Sequence, residues 1–155
     1  MRYLIILRGP PGVGKTTVSR HIINRLGAKK AVILYLDKIE EFDLNIQQAL
    51  SKEYVVEELF FGNCHTTRPE QWLSKFDNYS KISFILQIPF DTCYQRAKTR
   101  PEYANYTEER YRVLYYGFKF LCLFNVFNQY AGVKEFCINA QSDSSSVADK
   151  IVEMI

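Results

Sequence analysis

Five short runs of apolar residues recur along this chain, and each has the length of a buried strand. The predicted strands span residues 3–7, 31–36, 54–61, 81–88 and 135–138. Most of these runs are continuous rather than alternating, which is typical of parallel strands that are covered on both faces. Because helical patterns separate them, we predict a five-stranded, all-parallel α/β sheet with right-handed crossovers and helices on both faces.

The helical patterns between the strands are marked by their apolar spacing and by their caps. The first, after Thr16, buries one face and ends at Gly27. The other helices are predicted over 44–51, 67–76, 91–100, 107–130 and 146–155. Three of them begin with a capping signal: a capping box at 67 and 70, an N-cap at Asp91, and Ser146 with Asp149. The helix over 107–130 is rich in Tyr and Phe on nearly every side, which predicts deep packing or a contact with a partner.

A glycine-rich segment joins the first strand to the first helix, and it carries the clearest chemistry in the chain. Two glycines separated by four residues are followed by Lys and Thr, which is the P-loop pattern in its expected strand–loop–helix context. Successive backbone N–H groups of such a loop wrap a phosphate, Lys15 reaches the outer phosphates, and the Thr16 hydroxyl ligates Mg²⁺. We therefore predict a nucleoside triphosphate, ATP or GTP, with Mg²⁺ as the ligand, and a binding segment formed by Gly9, Pro10, Pro11, Gly12, Val13, Gly14, Lys15, Thr16 and Thr17.

Acidic residues stand at the ends of the second and third predicted strands. Ligands of open parallel sheets bind outside the carboxyl ends of the strands, so Asp37 is the predicted catalytic base, with a helix N-cap as the alternative. On the third strand Glu57 is the predicted metal residue, holding Mg²⁺ through water, although Glu58 could serve instead. Neighbouring strand residues point to opposite faces, so at most one of the two faces the nucleotide. Both could also be surface acids.

Two arginines follow the fourth strand at a spacing of one helical turn. Arg96 and Arg100 precede a Pro- and Tyr-containing segment, and a lid over about residues 96–110 would bring them to a transferring phosphoryl group. A solvated helical face is the alternative. A loop containing Asn63, His65 and Thr66 could line an acceptor pocket.

Composition limits the remaining possibilities. With 155 residues, 47% of them hydrophobic, the chain fits one folded domain over 1–155 rather than a disordered segment. A net charge of +3 is too small for a surface that coats nucleic acid. The four widely spaced cysteines and the absence of a signal-peptide pattern predict a cytoplasmic protein with reduced thiols, and no apolar stretch is long enough to span a bilayer.

Taken together, these motifs resemble the P-loop nucleoside and nucleotide kinase superfamily, particularly its small members of the shikimate, gluconate and chloramphenicol phosphotransferase type. Residues 9–17 are similar to the adenylate-kinase form of the loop. The resemblance implies the strand order 2-3-1-4-5, adenine near residues 139–144, Asp37 as proton acceptor, and Arg96 or Arg100 at the γ-phosphate. The sequence departs from shikimate-type enzymes at Ile39, where a second acid is usual, and it lacks their glycine-rich acceptor motif after the third strand.

The leading functional hypothesis is an ATP- and Mg²⁺-dependent kinase that transfers the γ-phosphoryl group to a nucleoside, a nucleotide or another hydroxylated metabolite. One alternative is a nucleotide-dependent switch or NTPase that acts on a protein partner. Another is a polynucleotide 5′-hydroxyl kinase, which the modest charge disfavours. The aromatic helix over 107–130 could also form a homodimer contact.

Overall fold

The computed structural model describes residues 1–34, 42–59, 72–123 and 132–155, which form an α/β domain. Its strands are β1 (Tyr3–Arg8), β2 (Ala31–Leu34), β3 (Tyr54–Leu59), β4 (Ser80–Gln87) and β5 (Val133–Asn139). Its helices are α1 (Lys15–Leu26), α2 (Phe42–Ala49), α3 (Phe90–Lys98), α4 (Glu108–Leu123) and α5 (Ser144–Glu153), with a short 3₁₀ helix at Ser74–Phe76.

The five strands form one sheet in the order β2-β3-β1-β4-β5, and every neighbouring pair is parallel. The predicted fold and strand order are therefore confirmed. In this order β1 lies at the centre, so the loop that follows it opens at the middle of the carboxyl edge of the sheet. A ligand on that loop can be reached from both neighbouring strands, β3 and β4.

Alternate residues of the strands build two separate cores. The first face of the sheet packs against α1 and α5, through side chains such as Ile22 and Ile151. The second face packs against α2 and residues 72–76, where Trp72 and Phe76 are almost fully buried. Both cores use strand residues that are closed to solvent, which explains why the apolar runs in the sequence are continuous.

Two helix boundaries differ from the predicted ones. The helix after β4 has Pro89 rather than Asp91 at its N-cap, and it ends at Lys98 instead of continuing to Arg100. The extended conformation of Pro89 already places its carbonyl to accept the first helical bond, from Cys93 N, and Asp91 falls in the first turn. Arg100 therefore lies in the turn beyond the helix, not on a helical face shared with Arg96.

The last helix begins earlier than predicted because its cap is Asp143. The Asp143 carboxylate accepts a hydrogen bond from the backbone N–H of Ser146 at 3.0 Å and another from the Ser146 hydroxyl at 2.6 Å. Ser146 is thus the partner of the cap rather than the cap itself.

Several predictions fall outside the described residues. These are the end of the second strand with Asp37, the loop with Asn63, His65 and Thr66, the capping box at 67 and 70, and the end of the aromatic helix beyond 123. Within the part of the chain that the structure describes, no helix has both the length and the apolar character needed to cross a membrane.

Candidate functional site

The loop between β1 and α1 has the backbone conformation of a phosphate cradle. Gly12 and Gly14 have φ angles of 87° and 105°, which residues with a Cβ rarely adopt. Gly14 is also the N-cap of α1 and offers no side chain to the first N–H groups of that helix. These groups, together with the positive end of the helix dipole, are directed at the cradle.

The helix α3 packs directly on this loop. A Cβ on Gly12 would come within 2.4 Å of the Cys93 carbonyl oxygen and 2.9 Å of the Ala97 nitrogen. Gly12 is therefore required twice, once by its backbone angle and once by the approach of α3. Any movement of α3 would also displace the loop, because no side chain lies between them.

Two buried side chains hold the same loop carbonyl, and no pattern in the sequence indicated either contact. The Tyr111 hydroxyl donates to Pro11 O at 2.5 Å, and the Cys93 thiol lies 3.2 Å from the same oxygen. Burial raises the pKa of both side chains, so both remain protonated donors at neutral pH. The aromatic pattern predicted that Tyr111 would be buried, but not that its hydroxyl would reach the loop.

Lys15 lies over the cradle and is bonded to the loop itself. Its Nζ donates to Gly9 O at 2.6 Å and to Pro10 O at 3.3 Å. Burial lowers the pKa of Lys15 to about 8; the nearby carboxylate of Glu58 opposes this shift, and the charge of Arg100 adds to it. Lys15 is thus a desolvated ammonium group whose charged form a bound anion would stabilise.

Thr16 is joined to β3 through Glu58, not through Glu57. The Thr16 hydroxyl donates to Glu58 Oε2 at 2.8 Å, and the Ser19 hydroxyl donates to Glu58 Oε1 at 2.5 Å. Glu58 lies opposite Leu7 of β1 and shares the first face with α1. The Thr hydroxyl and the carboxylate therefore meet at the mouth of the cradle.

The predicted metal position at Glu57 is corrected by this geometry. Glu57 lies opposite Ile6 and Leu34, is 1% exposed, and belongs to the second face of the sheet. The period-two alternation of a strand separates it from Thr16 although it is adjacent in sequence to Glu58. The sequence established that only one of the two acids could face the loop, but it did not determine which face α1 would cover.

The two predicted arginines lie at the end of α3 that adjoins the loop. Arg96 is exposed on the last turn of α3, and Arg100 is partly exposed in the following turn. Both charges act on the Cys93 thiol beneath the loop, and the charge of Arg100 also acts on Lys15. The structure therefore brings both arginines near the phosphate cradle, whereas Asp37 lies outside the described residues.

The segment after β5 also reaches the loop. The Ser144 hydroxyl would lie 3.8 Å from a Cβ on Gly14, so the start of α5 adjoins the start of α1. This places the segment over residues 139–144 beside the cradle, where the resemblance implied the adenine.

The strand order and the cradle define a P-loop domain with a nucleoside and nucleotide kinase-like fold. Within that class, the family whose sequence pattern matches residues 2–110 is Novel STAND NTPase 3, and the chain belongs to it. No curated protein matches the chain.

Three solved structures share the fold over nearly their full length. A deoxyadenosine kinase from M. mycoides, solved with bound dATP, is 17% identical with a TM-score of 0.66; the match covers 97% of this chain and 98% of that one. A shikimate kinase from Acinetobacter baumannii in complex with shikimate is 20% identical with a TM-score of 0.60, covering 99% and 93%. A gluconokinase from Sinorhizobium meliloti 1021 is 10% identical with a TM-score of 0.56, covering 99% and 92%. At these identities the likeness shows the fold.

Proposed function

We propose that the chain binds ATP with Mg²⁺ on residues 9–17 and transfers the γ-phosphoryl group to a small hydroxylated acceptor. The single observation that supports this most is the meeting of three elements at one point. These are the phosphate cradle with Lys15, the Thr16–Glu58 pair, and the end of α3 with its two arginines.

The residues at the cradle suit Mg²⁺. A hydroxyl and a carboxylate 2.8 Å apart are hard oxygen ligands, and Mg²⁺ on a nucleotide is usually held by few protein groups together with phosphates and water. Thr16 would hold the ion directly and Glu58 through water, and the bound ion would neutralise charge on the outer phosphates.

The charges around the cradle support transfer rather than binding alone. Lys15 would leave its two carbonyl partners and bond the outer phosphates, which offset the cost of its desolvation. Arg100, and Arg96 beside it, would stabilise the charge that spreads over the phosphoryl oxygens in the transition state. For the acceptor we propose Asp37 as the base, because it follows β2, whose carboxyl end lies on the same sheet edge as β3.

The kinase proposal takes further support from the solved structures, since each of the three is named as a kinase of a small molecule. The family match favours the second candidate, an NTPase in which water accepts the phosphoryl group. Its action on a protein partner is part of that proposal. The two candidates share the cradle and differ only in the acceptor.

We further propose a cytoplasmic location. The predicted homodimer contact of the aromatic helix has no support in the part of the chain that the structure describes or in the comparisons, and we do not propose it.

Turnover with and without acceptors separates the two candidates. ADP release from Mg²⁺-ATP is measured alone and then with nucleosides, nucleotides, shikimate and gluconate as acceptors, with Lys15→Ala as the inactive control. A kinase releases ADP many-fold faster with one acceptor class and forms a phosphorylated product. An ADP release that no small molecule accelerates would reject the kinase and leave the NTPase; release that Lys15→Ala retains would reject the site itself.

A further inference from the structure

Ser19 is a polar residue in a part of α1 that otherwise buries apolar side chains. It has no exposed surface, and the other buried positions of the helix are Val18 and Ile22. Alanine has a higher helix propensity than serine, and it carries no group that must be hydrogen-bonded when it is buried. A serine at this position is therefore explained by the partners of its hydroxyl rather than by the helix.

The Ser19 hydroxyl holds one of the two carboxylate oxygens of Glu58. It lies 2.5 Å from Glu58 Oε1 and 3.1 Å from the backbone oxygen of Thr16. A hydroxyl has a single proton to donate, and the carboxylate is both the closer acceptor and the charged one. This hydrogen bond therefore fastens the end of β3 to α1.

The other oxygen of Glu58 faces the phosphate loop. Oε2 accepts a hydrogen bond from the Thr16 hydroxyl at 2.8 Å, and the charge of the carboxylate also acts on Lys15. The two oxygens thus have different surroundings, with Oε1 directed at the buried hydroxyl and Oε2 at the mouth of the cradle. Because a carboxylate is planar and rigid, a bond that holds Oε1 also fixes the direction of Oε2.

A carboxylate held in this way suits one divalent cation better than another. Mg²⁺ forms short bonds of about 2.0–2.1 Å, keeps several waters, and needs few protein ligands. Ca²⁺ forms longer bonds, takes about six to eight oxygen ligands, and accepts both oxygens of one carboxylate. While Oε1 accepts the Ser19 proton, Glu58 cannot turn both of its oxygens toward a cation at the loop.

We propose that Ser19 is a positioning residue that makes the nucleotide site selective for Mg²⁺ over Ca²⁺. By holding Oε1, Ser19 prevents two-oxygen ligation by Glu58 and leaves Oε2 to bind a water of the cation beside Thr16. This role rests on the proposed function, because it concerns the cation that accompanies the nucleotide. It is the same whether a small molecule or water accepts the phosphoryl group.

A matched pair of serine variants tests this role. Ser19→Ala removes the bond to Glu58, whereas Ser83→Ala removes an equally buried hydroxyl that donates to a different carboxylate, Glu135, at 2.7 Å. Ser19→Thr retains the hydroxyl and is the conservative variant. Binding of a non-hydrolysable ATP analogue is measured by titration calorimetry in saturating Mg²⁺, in saturating Ca²⁺ and in EDTA, so that the result does not depend on turnover.

The expected result is a change in the ratio of two affinities. The unaltered chain, Ser83→Ala and Ser19→Thr should bind the analogue about tenfold more tightly with Mg²⁺ than with Ca²⁺. Ser19→Ala should bring the two affinities together, because loss of a group that orients a metal-site side chain costs about 10- to 100-fold in metal affinity, while the freed carboxylate can ligate Ca²⁺ with both oxygens. A merely structural role would weaken binding with both ions equally and leave the ratio unchanged.

A second measurement uses the protein without nucleotide or cation. The Hα–Hβ coupling constants of Glu58 report whether its side chain keeps one rotamer or averages among several. One dominant rotamer is expected in the unaltered chain and in Ser83→Ala, and averaging is expected in Ser19→Ala.

The proposal is overturned if Ser19→Ala keeps the full preference for Mg²⁺, if the unaltered chain binds the analogue equally well with both ions, or if Glu58 keeps its rotamer in Ser19→Ala. A failure of the proposed function gives a different result, since then neither cation strengthens binding of the analogue to the unaltered chain, and the role of Ser19 is rejected with the site. If Ser19→Thr does not fold, the comparison of Ser19→Ala with Ser83→Ala decides alone.

Discussion

The two faces of the sheet bury different kinds of side chains. On the first face the strands contribute apolar residues such as Ile5, Leu7 and Phe84 to the core under α1 and α5. On the second face an aligned row across β3, β1, β4 and β5 contains Glu57, Ile6, Ser83 and Glu135. Three of the four members of that row are polar. The same sheet thus offers an apolar support on one side and a buried polar row on the other.

This difference indicates that the two faces of the sheet have different roles. The phosphate cradle needs a rigid base, and the close-packed core under α1, formed mainly by apolar side chains, supplies it. Buried polar groups contribute less to stability than apolar ones of the same size and are retained where they confer specificity or bind a ligand. We therefore expect substitutions on the first face to affect nucleotide chemistry, and those on the second face to affect stability and ligand choice.

The largest effect on stability is expected from Glu135→Ala. It removes a buried carboxylate from Arg8, which is 5% exposed, and should lower the free energy of unfolding by about 3 kcal/mol. Urea denaturation measures the change, with the exposed Glu153→Ala as a control that should stay within about 0.5 kcal/mol. ATP affinity of the folded variant should be unchanged. A strong loss of ATP affinity without destabilisation would contradict the division between the faces.

Arg100→Ala should reduce kcat by about 100-fold with little change in ATP affinity. The physical reason is that its charge acts at Lys15 and is proposed to stabilise the transition state more than bound ATP. Steady-state kinetics with the identified acceptor measures the effect. Lys98→Ala, at the end of α3, is the matched control and should retain kcat, because the Lys98 ammonium lies over the Tyr94 ring. Equal losses in both variants would indicate a general effect of α3 rather than a role for Arg100.

ATP affinity should fall as the pH rises above about 8, because only protonated Lys15 bonds the phosphates. The pKa of Lys15 in the free protein is about 8, and bound phosphates raise it. Between about pH 7.5 and 9.5 the Kd should rise roughly 25-fold. Isothermal titration at several pH values measures this. Lys15→Arg stays charged across the range, so its profile should be flat; a flat profile for the unaltered chain would refute the low pKa.

The smallest of these effects is expected from Tyr111→Phe. It removes one buried hydrogen bond to Pro11 O and should cost about 1 kcal/mol of stability, together with a modest loss of ATP affinity as the loop loosens. Tyr115→Phe is the control, because it removes a similar hydrogen bond, to Ile88 O, which follows β4 and is not part of the phosphate loop. If both variants lower ATP affinity equally, Tyr111 has no special role at the loop.

The sequence was sufficient for the parts that depend on local pattern. Continuous apolar runs and the glycine spacing predicted the strands, their parallel direction and the loop at Gly12 and Gly14, because each has a short-range physical cause. The strand order was implied by the family resemblance. It was insufficient where the three-dimensional packing decides. The choice between Glu57 and Glu58 depends on which face α1 covers, and the hydrogen bond of Tyr111 to the loop joins residues 100 positions apart. A local sequence pattern encodes neither a contact between residues far apart in the chain nor the choice of which sheet face a helix covers.

A similar limit explains the helix ends. Asp91 and Ser146 both belong to favourable capping types, yet Pro89 and Asp143 are the caps, because these two residues have the extended backbone, with ψ of 148° and 150°, that precedes the first helical turn. Arg100 consequently lies beyond α3. Its proposed role therefore rests on the effect of its charge at Lys15 rather than on helical spacing.

The most direct test of the account is the Mg²⁺-dependence of ATP binding in two charge-removing variants of adjacent residues, Glu58→Gln and Glu57→Gln. Binding is measured by thermal denaturation with ATP at about 100 times its Kd, where a single site should add about 2.7 kcal/mol of stability. The account predicts that Mg²⁺ strengthens ATP binding in the unaltered chain and in Glu57→Gln, and that Glu58→Gln loses this enhancement. Loss in Glu57→Gln with retention in Glu58→Gln, or no stabilisation of the unaltered chain by Mg²⁺-ATP, would contradict it.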